Sequence, residues 1–283
     1  MENKKQIFKK SSTTYYYSSL FFPKNILDKI ATIYAYVRVA DNFVDDYPQD
    51  INGYKQFISQ TNKAFRGNEI DKEYKYSTII VEFVTVAKRF NFKKKWINAF
   101  HQSMISDISK DNKKIIYQTK VEIDNYIFGS AEVIGLFIVK VLNLPKASLF
   151  SAMKQGHAMQ KINFIRDIAE DCQLNRQYLT EEQLEKFNVN KLCQKPQNNG
   201  QLANFKKLIR SEITDYYKIQ KQAELGYKYI PYRYRLPIAT AASLYKWTAK
   251  VIYNNPLIIF EKKVKPTKQR VILTFFKQAI KWI

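Results

Sequence analysis

The chain has 283 residues, and 46% of them are hydrophobic, which is enough apolar material for a large core and argues against disorder. Only 7 glycines occur, and the 8 prolines lie between apolar-periodic runs, so the composition favours a helical protein over a turn-rich β fold. The formal charge of +22 attracts phosphates on small substrates, nucleic acids or lipid head groups, but a lysine-rich solvated surface would have the same composition.

The cysteines and the apolar runs bear on the cellular compartment. Cys172 and Cys193 are too few for a disulfide framework, and their spacing matches no zinc motif. The first ten residues lack the apolar stretch of a secretory signal. The longest apolar run, 127–139, contains Glu132 and is too short and too charged to span a membrane. We therefore expect a cytoplasmic protein, with peripheral attachment to the inner face of the membrane as an open alternative.

Hydrophobic periodicity predicts helices through most of the chain. In chain order they fall near 25–46, 52–66, 72–90, 93–109, 120–143, 146–173, 201–229, 238–254 and 267–282. Pro, Gly and Asn mark the connections, and no strand pattern or internal repeat is apparent. The sequence thus predicts an all-α fold, a single domain over 1–283 built as one large helical bundle with a central cavity.

Two aspartates lie four residues apart in the first long helix, Asp41 and Asp45. At about 100° per residue, Tyr34 and Arg38 share an arc of about 60° with them. One helix face therefore carries an aromatic ring, a guanidinium and two carboxylates. A single pair of this kind is usually a surface feature and says little by itself.

A second acidic stripe follows more than a hundred residues later, where Gln160, Asn163, Asp167 and Asp171 share an arc of about 80° on a largely apolar helix. Buried carboxylates need a cation or hydrogen-bond partners. Mg²⁺ binds a few carboxylates and takes its other ligands from water and phosphate. Together the two stripes predict a magnesium site, with Mn²⁺ as an alternative, held by their four aspartates.

Arginines near the stripes are candidates for diphosphate binding, because guanidinium groups match phosphate geometry. They are Arg38, Arg166 and Arg176, and each could instead neutralise a neighbouring aspartate. His101 and His157 have no metal-site spacing, and no dinucleotide, P-loop or nucleophile motif occurs. Nucleic acid is not an expected partner, because Lys and Arg are spread along the chain.

The segment 266–283 is amphipathic, with apolar residues among three Lys and one Arg. Such a helix lies on an anionic membrane or docks on the protein's own core. The sequence leaves both alternatives open.

Five segments resemble, in order, motifs of the squalene/phytoene synthase family: STTYYY (12–17), YAYVRVADNFVD (34–45), YIFGSAEVIG (126–135), the acidic segment 160–178 and FEKKV (260–264). The resemblance runs nearly end to end and implies a helical fold of the isoprenoid synthase type. It also implies head-to-head (1'-1) condensation of two prenyl diphosphates through a cyclopropylcarbinyl diphosphate. Many members carry Gly-Thr where Glu132 and Val133 stand, which leaves the product open.

The residue patterns and the resemblance together give a candidate site. The catalytic candidates are Asp41, Asp45, Asp167, Asp171, Tyr34 and Tyr178. The substrate-binding candidates are Ser12, Thr14, Tyr15, Arg38, Phe128, Gln160, Asn163, Arg166 and Arg176. Among these, the rings of Tyr15, Tyr34 and Phe128 are candidates for stabilising a carbocation.

The length of the chain and the sequence over 166–171 are most similar to phytoene synthases, which use geranylgeranyl diphosphate. A squalene or dehydrosqualene synthase using farnesyl diphosphate is the alternative, and NADPH is expected only for squalene synthase. A head-to-tail enzyme would carry adjacent aspartates, whereas Asp41 is followed by Asn42. The alternatives of another class are a non-catalytic assembly factor of the same family and a basic membrane-binding helical protein.

Overall fold

The computed structural model describes residues 4–11, 13–46, 48–108 and 113–281. In these ranges the helices are α1 (Lys4–Ser11), α2 (Thr13–Ser19), α3 (Lys24–Asp45), α4 (Ile51–Arg66), α5 (Ser77–Arg89), α6 (Lys94–Ser106), α7 (Lys120–Ile127), α8 (Val133–Val141), α9 (Leu149–Arg166), α10 (Ile168–Gln173), α11 (Glu181–Lys186), α12 (Asn199–Glu224), α13 (Tyr232–Asn254) and α14 (Lys268–Lys281). A π-helical turn, Phe128–Glu132, joins α7 to α8. Short 3-10 turns cover Lys146–Ser148, Leu225–Tyr229 and Pro256–Phe260.

Two large groups of buried side chains form the core. The first involves α1, α3 to α6 and α8, and at its centre the ring of Tyr36 stacks on Phe83 with 3.7 Å between centroids. The Tyr36 hydroxyl and His101 Nε2 are 2.9 Å apart, so this histidine belongs to the core. The second group involves α9, α12 and α13. Tyr15 and Ile238 pack against both groups, so the two groups meet.

The helix α3 directs one side to the core and another to a cavity. Tyr36, Ala40 and Phe43 are buried at spacings of three or four residues and pack in the first core group. Asp41 and Asp45 lie roughly opposite Phe43 around the helix, at about 100° per residue, and both line the cavity. The apolar periodicity of α3 therefore fixes where its acidic stripe points.

Glycines let the π-helical turn approach its neighbours closely. A Cβ on Gly129 would lie 2.2 Å from the Ala99 carbonyl oxygen of α6, and one on Gly156 of α9 would lie 2.4 Å from that of Ala131. Backbone-to-backbone packing of this kind excludes larger residues. It holds the turn between α6 and α9 and brings Ser130 and Ala131 to the cavity wall.

The predicted continuous helix over 146–173 is wrong at one point. The chain leaves α-helical geometry at Asp167, which has φ −101° and ψ 10° and separates α9 from α10. The Asp167 carboxylate accepts two hydrogen bonds from the adjacent Arg166, at 2.8 and 2.6 Å. The Asp171 amide still donates to the Asp167 carbonyl at 2.8 Å, so α10 continues in nearly the same direction.

Several short elements were not predicted. They are α1, α2 and α11, and a parallel pair of strands, β1 (Ile115–Ile116) and β2 (Arg176–Gln177). Two-residue strands are too short for an alternating pattern. The helix α11 did carry a signal, because Thr180 and Gln183 form a capping box. The helix α13 also begins earlier than predicted and contains Pro237.

Cys172 and Cys193 form a disulfide, with 5.7 Å between their Cα atoms. A single bridge is not a disulfide framework, but the pairing itself was not predicted from the sequence. The bridge joins α10, next to Asp171, to the loop before α12. It therefore restrains the short helix that carries part of the second acidic stripe.

Removing the bridge by Cys193→Ser is expected to lower the free energy of unfolding of the oxidised protein by about 3 kcal/mol, because the bridge restrains the unfolded chain. Urea titration followed by circular dichroism measures this difference. The reduced wild type and the reduced variant should unfold at the same urea concentration. Equal midpoints for the oxidised wild type and the variant would contradict a bridged native state.

The last helix, α14, docks on the protein's own core. Val271 is buried, and the Phe275 ring stacks on Phe21 with 3.6 Å between centroids. The docking alternative for the terminal segment is thus confirmed for this face of α14. In the described ranges, no helix combines the length and the apolar character that crossing a bilayer requires.

Candidate active site

A cavity of about 690 Å³ runs between the two core groups. On α3 its wall extends from Ile30 to Asp45, which is about 22 Å of helix. On α9 and α10 the wall extends from Ser151 to Asp171, so on both sides the aspartates come at the C-terminal end of the lining stretch. The aspartates therefore gather at one end of the cavity, and the other end is largely apolar, with Phe22, Ile30, Ile138, Leu144 and Ile238 in its wall.

Most of the predicted site residues line this single cavity. They are Thr14, Tyr15, Tyr34, Arg38, Asp41, Asp45, Gln160, Asn163, Arg166, Asp167, Asp171, Arg176 and Tyr178. Ser12 lies outside the described residues. The structure thus brings together two acidic stripes that are far apart in the sequence.

Phe128, a substrate-binding candidate, is not among the residues that line the cavity. Phe128 begins the π-helical turn and packs against the first core group, because the turn directs Ser130 and Ala131 to the cavity instead. Tyr126 and Phe164 contribute the aromatic surface there. Tyr126 was within reach of the sequence analysis, since it begins the motif at 126–135.

Glu132 does not line the cavity either. Its carboxylate lies 2.8 Å from His157 Nδ1, and both side chains are buried between the π-helical turn and α9. The departure from Gly-Thr at this position therefore does not place a carboxylate in the cavity wall. The residue instead joins two helices that carry the cavity wall.

The first acidic stripe is partly neutralised by arginines. Arg38 Nη1 lies 3.8 Å from an Asp41 carboxylate oxygen and 3.7 Å from one of Asp45. Arg176, held on strand β2, donates to the Asp45 carboxylate at 2.5 Å. Burial, and then the neighbouring Asp45 carboxylate, raise the pKa of Asp41 to about 7. The negative charge on Asp41 is therefore energetically unfavourable in the folded chain.

In the second stripe, one aspartate is paired with basic side chains and the other has a raised pKa. Burial disfavours the charged form of Asp167, but Arg166 and Lys263, at 2.6 and 3.1 Å, outweigh it and keep the pKa of Asp167 below its ordinary value. Burial, and then the Asp167 carboxylate, raise the pKa of Asp171 to about 8, and Asp45 of the other stripe acts in the same direction. The two stripes are thus near enough to repel each other.

These residues fit a divalent cation. No three His, Cys, Asp or Glu side chains in the described ranges are close enough to hold a metal ion alone, so Mg²⁺ would take part of its shell from water and phosphate oxygens, as it usually does. Asp41 and Asp171 are half-buried, and a cation would stabilise their charged form. Asn163 Oδ1, one turn before Asp167, is a buried acceptor with no hydrogen-bond partner among the described residues.

Three charged residues at this end were not predicted. Lys263 forms ion pairs with Asp167 and Glu170. Lys265 also lines the cavity, and burial, then the charges of Lys263 and Arg166, lower its pKa. The resemblance at 260–264 was the signal that could have indicated this basic segment. Asp107 follows the last residue of α6, and the sequence analysis did not single it out, although Asp111 lies four residues further along the chain.

The raised pKa values predict that the metal-free protein loses stability as the pH rises. Asp41 and Asp171 bind a proton more tightly in the folded chain than in the unfolded chain, whose carboxyls titrate near 3.8. Their contribution is therefore present at low pH and is lost up to about pH 7 to 8. We expect the Tm of EDTA-treated protein to be lower at pH 8.5 than at pH 6.

The variant Asp171→Asn tests this assignment, because it removes one buried charge. At pH 8.5 without metal its Tm should exceed that of the wild type by at least ~2 °C. The control Asp215→Asn changes an exposed residue of α12 and should leave Tm unchanged. A lower Tm for Asp171→Asn would show that the carboxylate stabilises the metal-free fold.

Solved structures with the same fold define the class. A dehydrosqualene synthase in complex with a ligand superposes with a TM-score of 0.85 at 22% identity, covering 99% of this chain and 95% of that one. A squalene synthase from Alicyclobacillus acidocaldarius gives 0.75 at 16% identity, covering 89% and 92%. The predicted all-α fold is confirmed, and it is the fold of the helical squalene and dehydrosqualene synthases.

Sequence comparison gives the family. The chain is 27% identical over 282 residues to a 15-cis-phytoene synthase of Synechocystis sp., covering 95% of this chain and 81% of that protein. It is 26% identical over 186 residues to a 4,4'-diapophytoene synthase of Staphylococcus haemolyticus, covering 65% and 63%. The squalene/phytoene synthase family model matches residues 8–270. The chain belongs to this family, whose members are prenyltransferases, and the comparisons support head-to-head condensation of prenyl diphosphates.

Proposed function

We propose that this chain is a phytoene synthase that joins two molecules of geranylgeranyl diphosphate head to head. The observation that carries the proposal is the two acidic stripes at one end of a long cavity whose other end is largely apolar and uncharged. A diphosphate with a prenyl tail has the same division into a charged end and an apolar end. The Synechocystis relative, which matches over 95% of this chain, supports phytoene as the product.

The diphosphates would bind at the acidic end. Mg²⁺ bound by Asp41, Asp45, Asp167 and Asp171 would neutralise the charge of the departing diphosphate. Arg38, Lys263 and Lys265 line the same end, and their side chains would bind the remaining phosphate oxygens. At this one site the aspartates would thus bind the metal, and the basic side chains would bind the phosphate oxygens.

The prenyl tails would lie along α3 and α9 toward the apolar end. Small residues line this end, namely Ser148, Ser151 and Gly226. A Cβ on Gly226 would lie 2.3 Å from the Cβ of Ser151, so these two segments pack closely and bound the cavity there. The choice of a twenty-carbon tail rests on the similarity to the Synechocystis phytoene synthase.

Aromatic rings would protect the cationic intermediate. The rings of Phe164 and Tyr178 stack at 4.3 Å between centroids, and Tyr126 lies 5.3 Å from Tyr178. All three line the cavity near the acidic end. Their faces stabilise positive charge without supplying a nucleophile, and their packing excludes water that would quench the cation.

Incubation with each substrate tests the product. With geranylgeranyl diphosphate and Mg²⁺ we expect phytoene, identified by mass spectrometry, with no requirement for NADPH. Farnesyl diphosphate alone should be converted more slowly, and addition of NADPH should not yield squalene. A preference for farnesyl diphosphate would replace the proposal with dehydrosqualene synthesis, or with squalene synthesis if NADPH were consumed.

Asp41→Asn and Asp167→Asn test the roles of the two stripes. Each removes a charged metal ligand, so we expect kcat to fall by at least about 100-fold, with unchanged circular dichroism. Asp215→Asn serves as the control, because it removes an exposed carboxylate far from the site. Full activity of either cavity variant would show that its stripe holds no essential metal.

We further propose that α14 attaches the protein to an anionic membrane. Four apolar side chains fall within about 100° on the side of α14 that faces solvent, and they are 51–75% exposed: Ile272, Leu273, Phe276 and Ile280. Arg270 and Lys277 lie beside this stripe, where they would meet acidic head groups. Phe21 packs on α14, and the next residue, Phe22, lines the apolar end of the cavity. The stripe is thus close to the end where a hydrocarbon product would leave.

Vesicle flotation tests this attachment. A variant with Ser at positions 272, 276 and 280 should float with vesicles containing phosphatidylglycerol far less than the wild type does. Pure phosphatidylcholine vesicles should bind both weakly, because the basic residues then lack partners. Val81→Ser, at a similarly exposed apolar position on α5, is the matched control. Equal flotation of the triple variant and the wild type would remove α14 from the membrane-binding surface.

A further inference from the structure

Asp107 is a buried carboxylate in the cavity wall with no role in the scheme above. It follows the last residue of α6, is only 3% exposed, and lines the acidic end of the cavity. A carboxylate in such a place is costly unless it is fully hydrogen-bonded. Its partners therefore indicate why it is there.

Those partners are two phenols. Tyr126 Oη donates to Asp107 Oδ2 at 2.5 Å, and Tyr178 Oη donates to Asp107 Oδ1 at 2.9 Å. The two phenol oxygens are themselves 3.4 Å apart. Each carboxylate oxygen thus receives one tyrosine, and both tyrosine rings belong to the cavity wall.

The main chain of Asp107 is held just as firmly. Its carbonyl accepts hydrogen bonds from Gln49 Nε2 at 2.8 Å and from Arg176 Nη2 at 3.3 Å. Arg176 also pairs with Asp45 of the first acidic stripe. The position of Asp107 relative to the acidic stripe is therefore fixed through one shared arginine.

Asp107 is largely ionised at neutral pH, because its pKa stays below 7. Burial raises its pKa to about 6, and Arg176 together with the two phenol hydroxyls limits the rise. An ionised carboxylate accepts hydrogen bonds and donates none. The single proton of each phenol is then committed to Asp107.

We propose that Asp107 is a positioning residue that accepts the hydroxyl hydrogen bonds of Tyr126 and Tyr178 and so fixes both rings in the cavity wall, beside the site of the carbocation. A hydrogen bond to a carboxylate also makes each phenol richer in electrons, which strengthens the attraction of its ring for a cation. This inference rests on the proposed function, because only a cationic intermediate gives the arrangement its use.

Asp107→Asn keeps the shape but reverses one hydrogen bond. Its amide accepts from one phenol and must present an N–H to the other oxygen. We expect kcat for hydrocarbon formation to fall about 10-fold to 30-fold, with KM for the prenyl diphosphate within about twofold of wild type. We also expect more diphosphate released per hydrocarbon formed, because a less stabilised cation is captured by water as an alcohol.

Tyr126→Phe and Tyr178→Phe complete the test. Each should shift the ratio of diphosphate to hydrocarbon in the same direction, and adding Asp107→Asn to the double Phe variant should change it little, since the residues act as one unit. Tyr217→Phe, on an exposed tyrosine of α12, should leave the ratio unchanged. If Asp107→Asn does not fold, the two Phe variants carry the test by themselves.

The outcomes separate the two proposals. A wild type that makes no head-to-head hydrocarbon overturns the proposed function and this inference with it. A wild type that makes it, beside an Asp107→Asn variant with unchanged kcat and an unchanged diphosphate-to-hydrocarbon ratio, overturns only the inference. A purely structural Asp107 would lower Tm without moving that ratio.

Discussion

Negative charge buried at one end of an apolar cavity is the constraint on which the rest of the structure depends. Five aspartates line that end: Asp41, Asp45, Asp107, Asp167 and Asp171. Burying each would cost several kcal/mol without a partner. Arginines compensate Asp45 and Asp167, and two phenols bind Asp107. Asp41 and Asp171 have raised pKa values because their charge is not fully compensated, so a metal ion bound there would displace their protons and stabilise the charged form.

The scaffold around this charge is rigid in identifiable ways. Strand β2 carries Arg176, which reaches Asp45 of α3 and the carbonyl of Asp107 after α6. The disulfide at Cys172 restrains the helix that carries Asp171. Close helix packing at Gly129 and Gly156 fixes the π-helical turn between α6 and α9. Arg176 is remote in sequence from Asp45 and Asp107, whereas Cys172 is adjacent to Asp171 and its bridge partner Cys193 is not.

The sequence predicted what depends on local periodicity. The helical class, most long helices and both acidic stripes follow from apolar spacing, because a face opposite the core must meet the cavity or solvent. It could not predict Asp107 or the Cys172–Cys193 pairing, since only the tertiary fold brings their partners together. It could not show that Phe128 lies outside the cavity wall, because a π-helical turn shifts the side-chain directions that an ideal helix implies. The roles of the lining residues, and the single domain over 1–283, remain predictions.

Calorimetric titration of inorganic diphosphate into the protein, with and without Mg²⁺, tests the central claim most directly. If the acidic end binds diphosphate through a shared cation, binding will be tight with Mg²⁺, weak in EDTA, and weak under both conditions after Asp41→Asn. Equal affinity in EDTA and in Mg²⁺ would mean that the lysines and arginines bind diphosphate alone, and that the buried aspartates serve another purpose.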